Sequence, residues 1–122
     1  MPPAGTKLTM LLYHGSNTKI AKFKRTSQGV FFSPHEEWAL KYGKILTPAY
    51  VWAPKVYIVD YKNPYGGKVL DALFDRDYAQ LAIYIQELQK QGYYALQTQT
   101  ESEMVCAFSN SRIYSAKTGK EI

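Results

Sequence analysis

Cysteine occurs once in the 122 residues, as Cys106. That excludes a disulfide framework within the chain and any cysteine-rich metal site. Histidine occurs twice, with no HExxH pattern, so no metal centre is expected. No glycine-rich Walker loop is present to cradle a nucleoside triphosphate. No apolar run is long enough to cross a membrane. The opening Met1-Pro2-Pro3-Ala4-Gly5 lacks the basic start and apolar core of a signal peptide. The expectation is a chain that acts in the cytoplasm, of the producing or of a target cell, with no membrane partner. Acidic residues are the scarcer sign, 10 against 15 basic, for a net charge of +5. That surplus raises the local concentration of anions. Its members, including Lys19, Lys22, Lys24 and Arg25 and then Lys117 and Lys120, form no nucleic-acid stripe.

What is present suits one domain over residues 1–122, behind a flexible arm at 1–7. The chain is 46% hydrophobic, enough for a real core, and carries eleven tyrosines. Thr9 to His14 reads as a buried strand stopped by Gly15-Ser16-Asn17. Gly29-Val30-Phe31-Phe32-Ser33 is a second short strand. A helix is expected directly after it, with Ser33 as cap, Pro34 in the first turn and Glu36 completing a capping box. That helix passes Ala39 and Tyr42 and stops at Gly43. Pro48 and Pro54 make 44–55 a loop or a broken strand. Val56–Tyr61 is a strand, Asn63–Gly67 a turn, and 68–74 reads ambiguously. A long helix from Asp75 or Asp77 to Gln91 carries an apolar stripe of Tyr78, Leu81, Ile85 and Leu88. Strands follow at Tyr93–Thr98, Glu103–Phe108 and Arg112–Ser115. Short strands outnumber helices and do not alternate with them, so the class is α+β, with mostly antiparallel strands and two or more helices.

Taken singly, His14, the Phe31-Phe32 pair and the Glu101/Glu103 loop have structural explanations. Their order says more. Tyr13-His14-Gly15-Ser16, then Gly29-Val30-Phe31-Phe32-Ser33, then Ala39 and Tyr42 on a helix, then Glu103 before an apolar strand, resembles the ADP-ribosyltransferase superfamily. The branch it resembles is the His-Tyr-Glu one of diphtheria toxin and the poly(ADP-ribose) polymerases. The resemblance implies a split β-sandwich and an NAD pocket. It implies a reaction that moves ADP-ribose to a macromolecule with release of nicotinamide. Breaking the nicotinamide–ribose bond passes through an oxocarbenium-like state. The site must therefore grip the ring, hold the ribose and set negative charge near the developing cation. On that reading Tyr13, His14, Gly15, Ser16, Phe31, Phe32, Ser33 and Tyr42 bind NAD. Gly15 gives its backbone to the carboxamide, Phe31 and Tyr42 sandwich the ring, and His14 bonds a ribose hydroxyl. Glu103 is the catalytic acid beside His14.

Two features depart from the branch pattern. Phe31 stands where the branch usually has Tyr. The stretch Glu103-Met104-Val105-Cys106-Ala107-Phe108-Ser109 is one residue longer than the usual spacing. A bulge absorbs the extra residue, or Cys106 takes the aromatic's place, or Glu103 is not the acid. Alternation puts Glu103, Val105 and Ala107 on one face and Met104, Cys106 and Phe108 on the other. Glu101-Ser102-Glu103 also resembles the Glu-x-Glu loop of the arginine-modifying branch, which would make Glu101 an acceptor-side residue. The expected partner is a macromolecular acceptor, protein ahead of nucleic acid. Small stand-alone domains of this kind resemble bacterial toxin tips and phage anti-defence proteins, anti-CRISPR ADP-ribosyltransferases among them. Such a setting adds a cognate antitoxin or immunity protein to the possible partners. Two other readings stay open: a catalytically inactive NAD- or protein-binding module on the same fold, and an interaction domain whose His-Gly-Ser is coincidence.

Overall fold

In the computed structural model the described residues are 8–24, 26–98 and 104–122, with side chains from residue 11 onward. The arm expected at 1–7 and the candidates Glu101 and Glu103 lie outside the described residues. Strand β1 spans Leu8–Ser16, longer than the apolar run alone indicates. Gly15 and Ser16, expected to turn, stay paired opposite Leu46 and Ile45. Their partner is β3, Ile45–Trp52, where Pro48 argued for a loop. Proline has no N–H to give to a ladder. Pro48 lies opposite Tyr13, whose own N–H and C=O both bond Ser33, at 2.8 and 2.9 Å. On its other side the Pro48 carbonyl accepts the Ala116 N–H at 3.0 Å. The sheet therefore asks residue 48 for no donor.

The remaining elements are β2 (Val30–Phe32), α1 (Glu36–Ala39), β4 (Val56–Val59), α2 (Pro64–Phe74), α3 (Tyr78–Lys90), β5 (Ala95–Thr98), β6 (Val105–Ala107) and β7 (Arg112–Ser115). They form two sheets, ordered β1-β3-β7 and β2-β6-β5-β4. All strand pairs are antiparallel except β4 with β5, which α2 and α3 connect as a crossover. The class is α+β. The Tyr13–Ser33 bridge ties β1 of one sheet to the end of β2 in the other. That tie brings the two motifs of the site together.

The four-stranded sheet is apolar on both faces. Val30, Phe32, Ala95, Val105 and Ala107 meet Leu12, Val51 and Ile113 between the sheets. Leu96, Cys106 and Phe108 meet Val69, Leu70, Leu81, Ile85 and Leu88 of α2 and α3. The alternation expected across residues 105–108 is thus observed. Pairing through β6 is regular in both ladders, with Val105, Cys106 and Ala107 opposite Gln97, Leu96 and Ala95. No bulge occurs among these described residues. The regular pairing covers Val105–Ala107 only, and Glu103, where the spacing begins, lies outside the described residues.

The helix starts differ from expectation in two places. Ser33 does not cap α1. Its backbone is held in sheet geometry by Tyr13, so the helix begins at Glu36 with His35 at its N-cap. The Ser33 hydroxyl instead accepts the His35 N–H at 3.1 Å. Helix α1 also ends early, at Ala39, and Tyr42 follows in a turn. Asn63–Gly67, expected as a turn, opens α2. Asn63 Oδ1 accepts the Gly66 N–H at 2.7 Å and Pro64 sits in the first turn. Asparagine and proline signal a helix start as readily as a turn.

Candidate functional site

The ends of β1 and β2, the α1 turn and the α2–α3 corner enclose a cavity of about 550 Å³. Its strand wall holds Tyr13, His14, Gly15, Ser16, Phe31, Phe32 and Ser33. Trp38, Ala39, Lys41 and Tyr42 come from α1 and the turn after it. Leu73, Phe74, Arg76 and Tyr78 form the opposite side, and Met104 closes one end. The eight residues that the sequence nominates for NAD thus line one cavity, although β1 and β2 belong to different sheets.

His14 is fixed by its surroundings. Its Nδ1 lies 2.7 Å from the Phe31 carbonyl oxygen, which can only accept, so Nδ1–H is the donor. In the neutral ring that leaves Nε2 as the acceptor. The ring also stands edge-on to Phe23 and Phe32, with centroids 4.9 and 5.7 Å away. One hydrogen bond and two aromatic contacts therefore select one rotamer and one tautomer. An imidazole held this way offers Nε2 to a hydroxyl.

Gly15 has a second reason to be glycine. A Cβ there would lie 1.8 Å from the Ala39 carbonyl oxygen. Gly43 is as tightly placed, its Cβ position falling 2.2 Å from the Ser16 carbonyl carbon. These two glycines let the α1 turn pack directly onto the end of β1. The close approach inferred for a ligand is thus also demanded by the fold.

Tyr13 is half-buried. Its phenol pKa is raised, first by burial and then by its hydrogen bond to the Glu36 carboxylate. Glu36 therefore serves Tyr13 rather than a capping box. The Ser16 hydroxyl donates to the Thr18 carbonyl at 2.5 Å, which holds the chain leaving β1. The Lys41 ammonium lies 4.0 Å from the centroid of the Trp38 ring.

Sequence reasoning did not nominate Trp38, Lys41, Leu73, Phe74, Arg76, Tyr78 or Met104. Tyr78 was expected on the buried stripe of α3, but it is 41% exposed and lines the cavity, while Leu81, Ile85 and Leu88 are buried. Exposed aromatics at a helix junction were the available signal, and Phe74 is another, 53% exposed. Met104 is bound at both backbone groups to Thr98. Its N–H donates to the Thr98 hydroxyl at 3.0 Å, and its carbonyl accepts the Thr98 N–H at 2.9 Å. Glu103 directly precedes Met104 in the chain.

Cys106 plays no part in the cavity. It is fully buried on the helix side, its pKa is pushed up by that burial, and its thiol donates to the Gln28 carbonyl. A thiol in that setting is no nucleophile.

No protein-family model matches the chain, and no curated protein matches it. Among solved structures, the fold is similar to that in the crystal structure of an anti-CRISPR protein. The TM-score is 0.52 at 17% identity, over 99% of this chain and 100% of that one. At that identity the likeness is one of fold.

Proposed function

We propose that this protein is a mono-ADP-ribosyltransferase that uses NAD and acts as a phage anti-defence effector. The observation that carries the reading is the oriented His14, bound through Nδ1 to the Phe31 carbonyl at the mouth of a cavity also lined by Gly15 and Tyr42. Nicotinamide would enter against Phe31 and Tyr42, whose rings favour a cationic heterocycle. Nε2 of His14 would accept a ribose hydroxyl. Glu103 would stabilise the oxocarbenium as the bond from C1′ to the nicotinamide nitrogen breaks and its electron pair leaves with neutral nicotinamide. The acceptor's nucleophile then bonds C1′ and gives up its proton. The effector setting draws support from the fold likeness to an anti-CRISPR protein, over 99% of this chain and 100% of that one.

The test is nicotinamide release from NAD in the presence of host-cell extract, with mass spectrometry of the extract. The expected result is one ADP-ribose added to a defined macromolecule. Glu103→Gln should lower turnover about 10²- to 10³-fold. A protein that binds NAD and releases no nicotinamide with any extract would be a binding module instead.

A further inference from the structure

Arg76 has a positive φ, +53°, alone among the described non-glycine residues. It follows Asp75, the C-cap of α2. Its N–H donates to the Leu73 carbonyl at 3.3 Å, and the Asp77 N–H donates to the Ala72 carbonyl at 3.0 Å. Those bonds make the helix terminator that turns one residue left-handed, a position glycine usually fills because a Cβ is penalised there. Arginine is an expensive choice for that backbone. Its side chain lines the cavity.

The charge of the cavity points the same way. Its described lining holds two cations, Lys41 and Arg76, and no carboxylate. Asp75 and Asp77 flank Arg76 in sequence, yet among the described residues Arg76 has no carboxylate partner. The Asp77 carboxylate instead accepts the Gln80 N–H at 3.2 Å, at the start of α3. Phe74 and Tyr78 stand on either side of the corner, both exposed to the cavity.

We propose that Arg76 is an anion-binding residue, whose guanidinium takes the pyrophosphate of the dinucleotide. This rests on the NAD reading above. A planar fork of donors matches two phosphate oxygens, and Phe74 and Tyr78 would keep water from the pair. A use for the side chain in the cavity that Arg76 lines explains why glycine does not occupy the site.

The test is calorimetric titration of the whole protein with NAD, ADP-ribose and nicotinamide, comparing wild type with Arg76→Gly and Arg76→Asn. Both replacements tolerate the left-handed region. The expected result is an NAD and ADP-ribose dissociation constant raised about 10- to 100-fold, with nicotinamide binding unchanged. The thermal midpoint of Arg76→Gly should stay at or about 2 °C above wild type. If wild type binds NAD and both variants bind it within about twofold as well, the inference fails while the NAD reading stands. Equal weakening of nicotinamide, or a fall in the thermal midpoint, would assign Arg76 to the shape of the corner and overturn the inference. A wild-type protein that binds neither NAD nor ADP-ribose overturns both.

Discussion

The two walls of the cavity are built on different principles. The strand wall is locked: Tyr13 bonds Ser33, His14 bonds Phe31, and Gly15 presses on Ala39 with no room for a Cβ. The α2–α3 wall is loose by comparison, with Phe74 and Tyr78 exposed and Arg76 on a disfavoured backbone. Residues of the first wall hold the fold and shape the cavity at once. Of the second, Leu73 packs on the core, whereas Phe74 and Tyr78 are exposed and outside it, so the proposed binding role would account for them. A substitution in the strand wall should therefore cost stability and binding together, and one at Phe74 or Tyr78 binding alone.

The largest expected effect separates the walls most sharply. Gly15→Ala sets a Cβ against the Ala39 carbonyl and should destabilise by about 3 kcal/mol, read from urea unfolding. A loss under about 1 kcal/mol would show that the α1 turn shifts easily and that this wall is not locked. His14→Ala removes one partly buried hydrogen bond and two ring contacts, so about 2 kcal/mol of stability should go, along with NAD affinity. Phe74→Ala should leave stability within about 0.5 kcal/mol and weaken NAD about fivefold. A large stability loss there would erase the contrast. The smallest effect is on pH dependence. Tyr13 has a folded pKa raised above its unfolded value near 10, so the stability it adds is fully present below pH 10 and lost as pH rises through the folded value. Tyr13→Phe should lower the neutral urea midpoint slightly, through loss of the bond to Glu36, and flatten its alkaline fall.

The same contrast governs what the sequence made legible. Residues of the strand wall are marked by local signals, His14-Gly15-Ser16 and Gly29 to Ser33, and they were nominated together. The helical wall carries no local mark. Phe74 lies in a stretch of ambiguous pattern, and Tyr78 sits in phase with a buried stripe that it does not join. Nothing in a sequence says that Arg76 adopts a left-handed backbone, because the helix end is fixed by Ala72 and Leu73. Strand β3 was obscured by Pro48, which is tolerated only because Tyr13 turns its bonds to Ser33, a contact between distant segments. The α+β class and the alternation around Cys106 rest on periodicity within single strands, and so were readable.

The most direct measurement is nicotinamide release from NAD by the purified protein with host-cell extract, run beside the same reaction with His14→Ala. The account predicts release by the wild type, matched by ADP-ribose on a macromolecule, and a loss of about tenfold or more in the variant. No release with any extract, together with no stabilisation of the fold at saturating NAD, would contradict it.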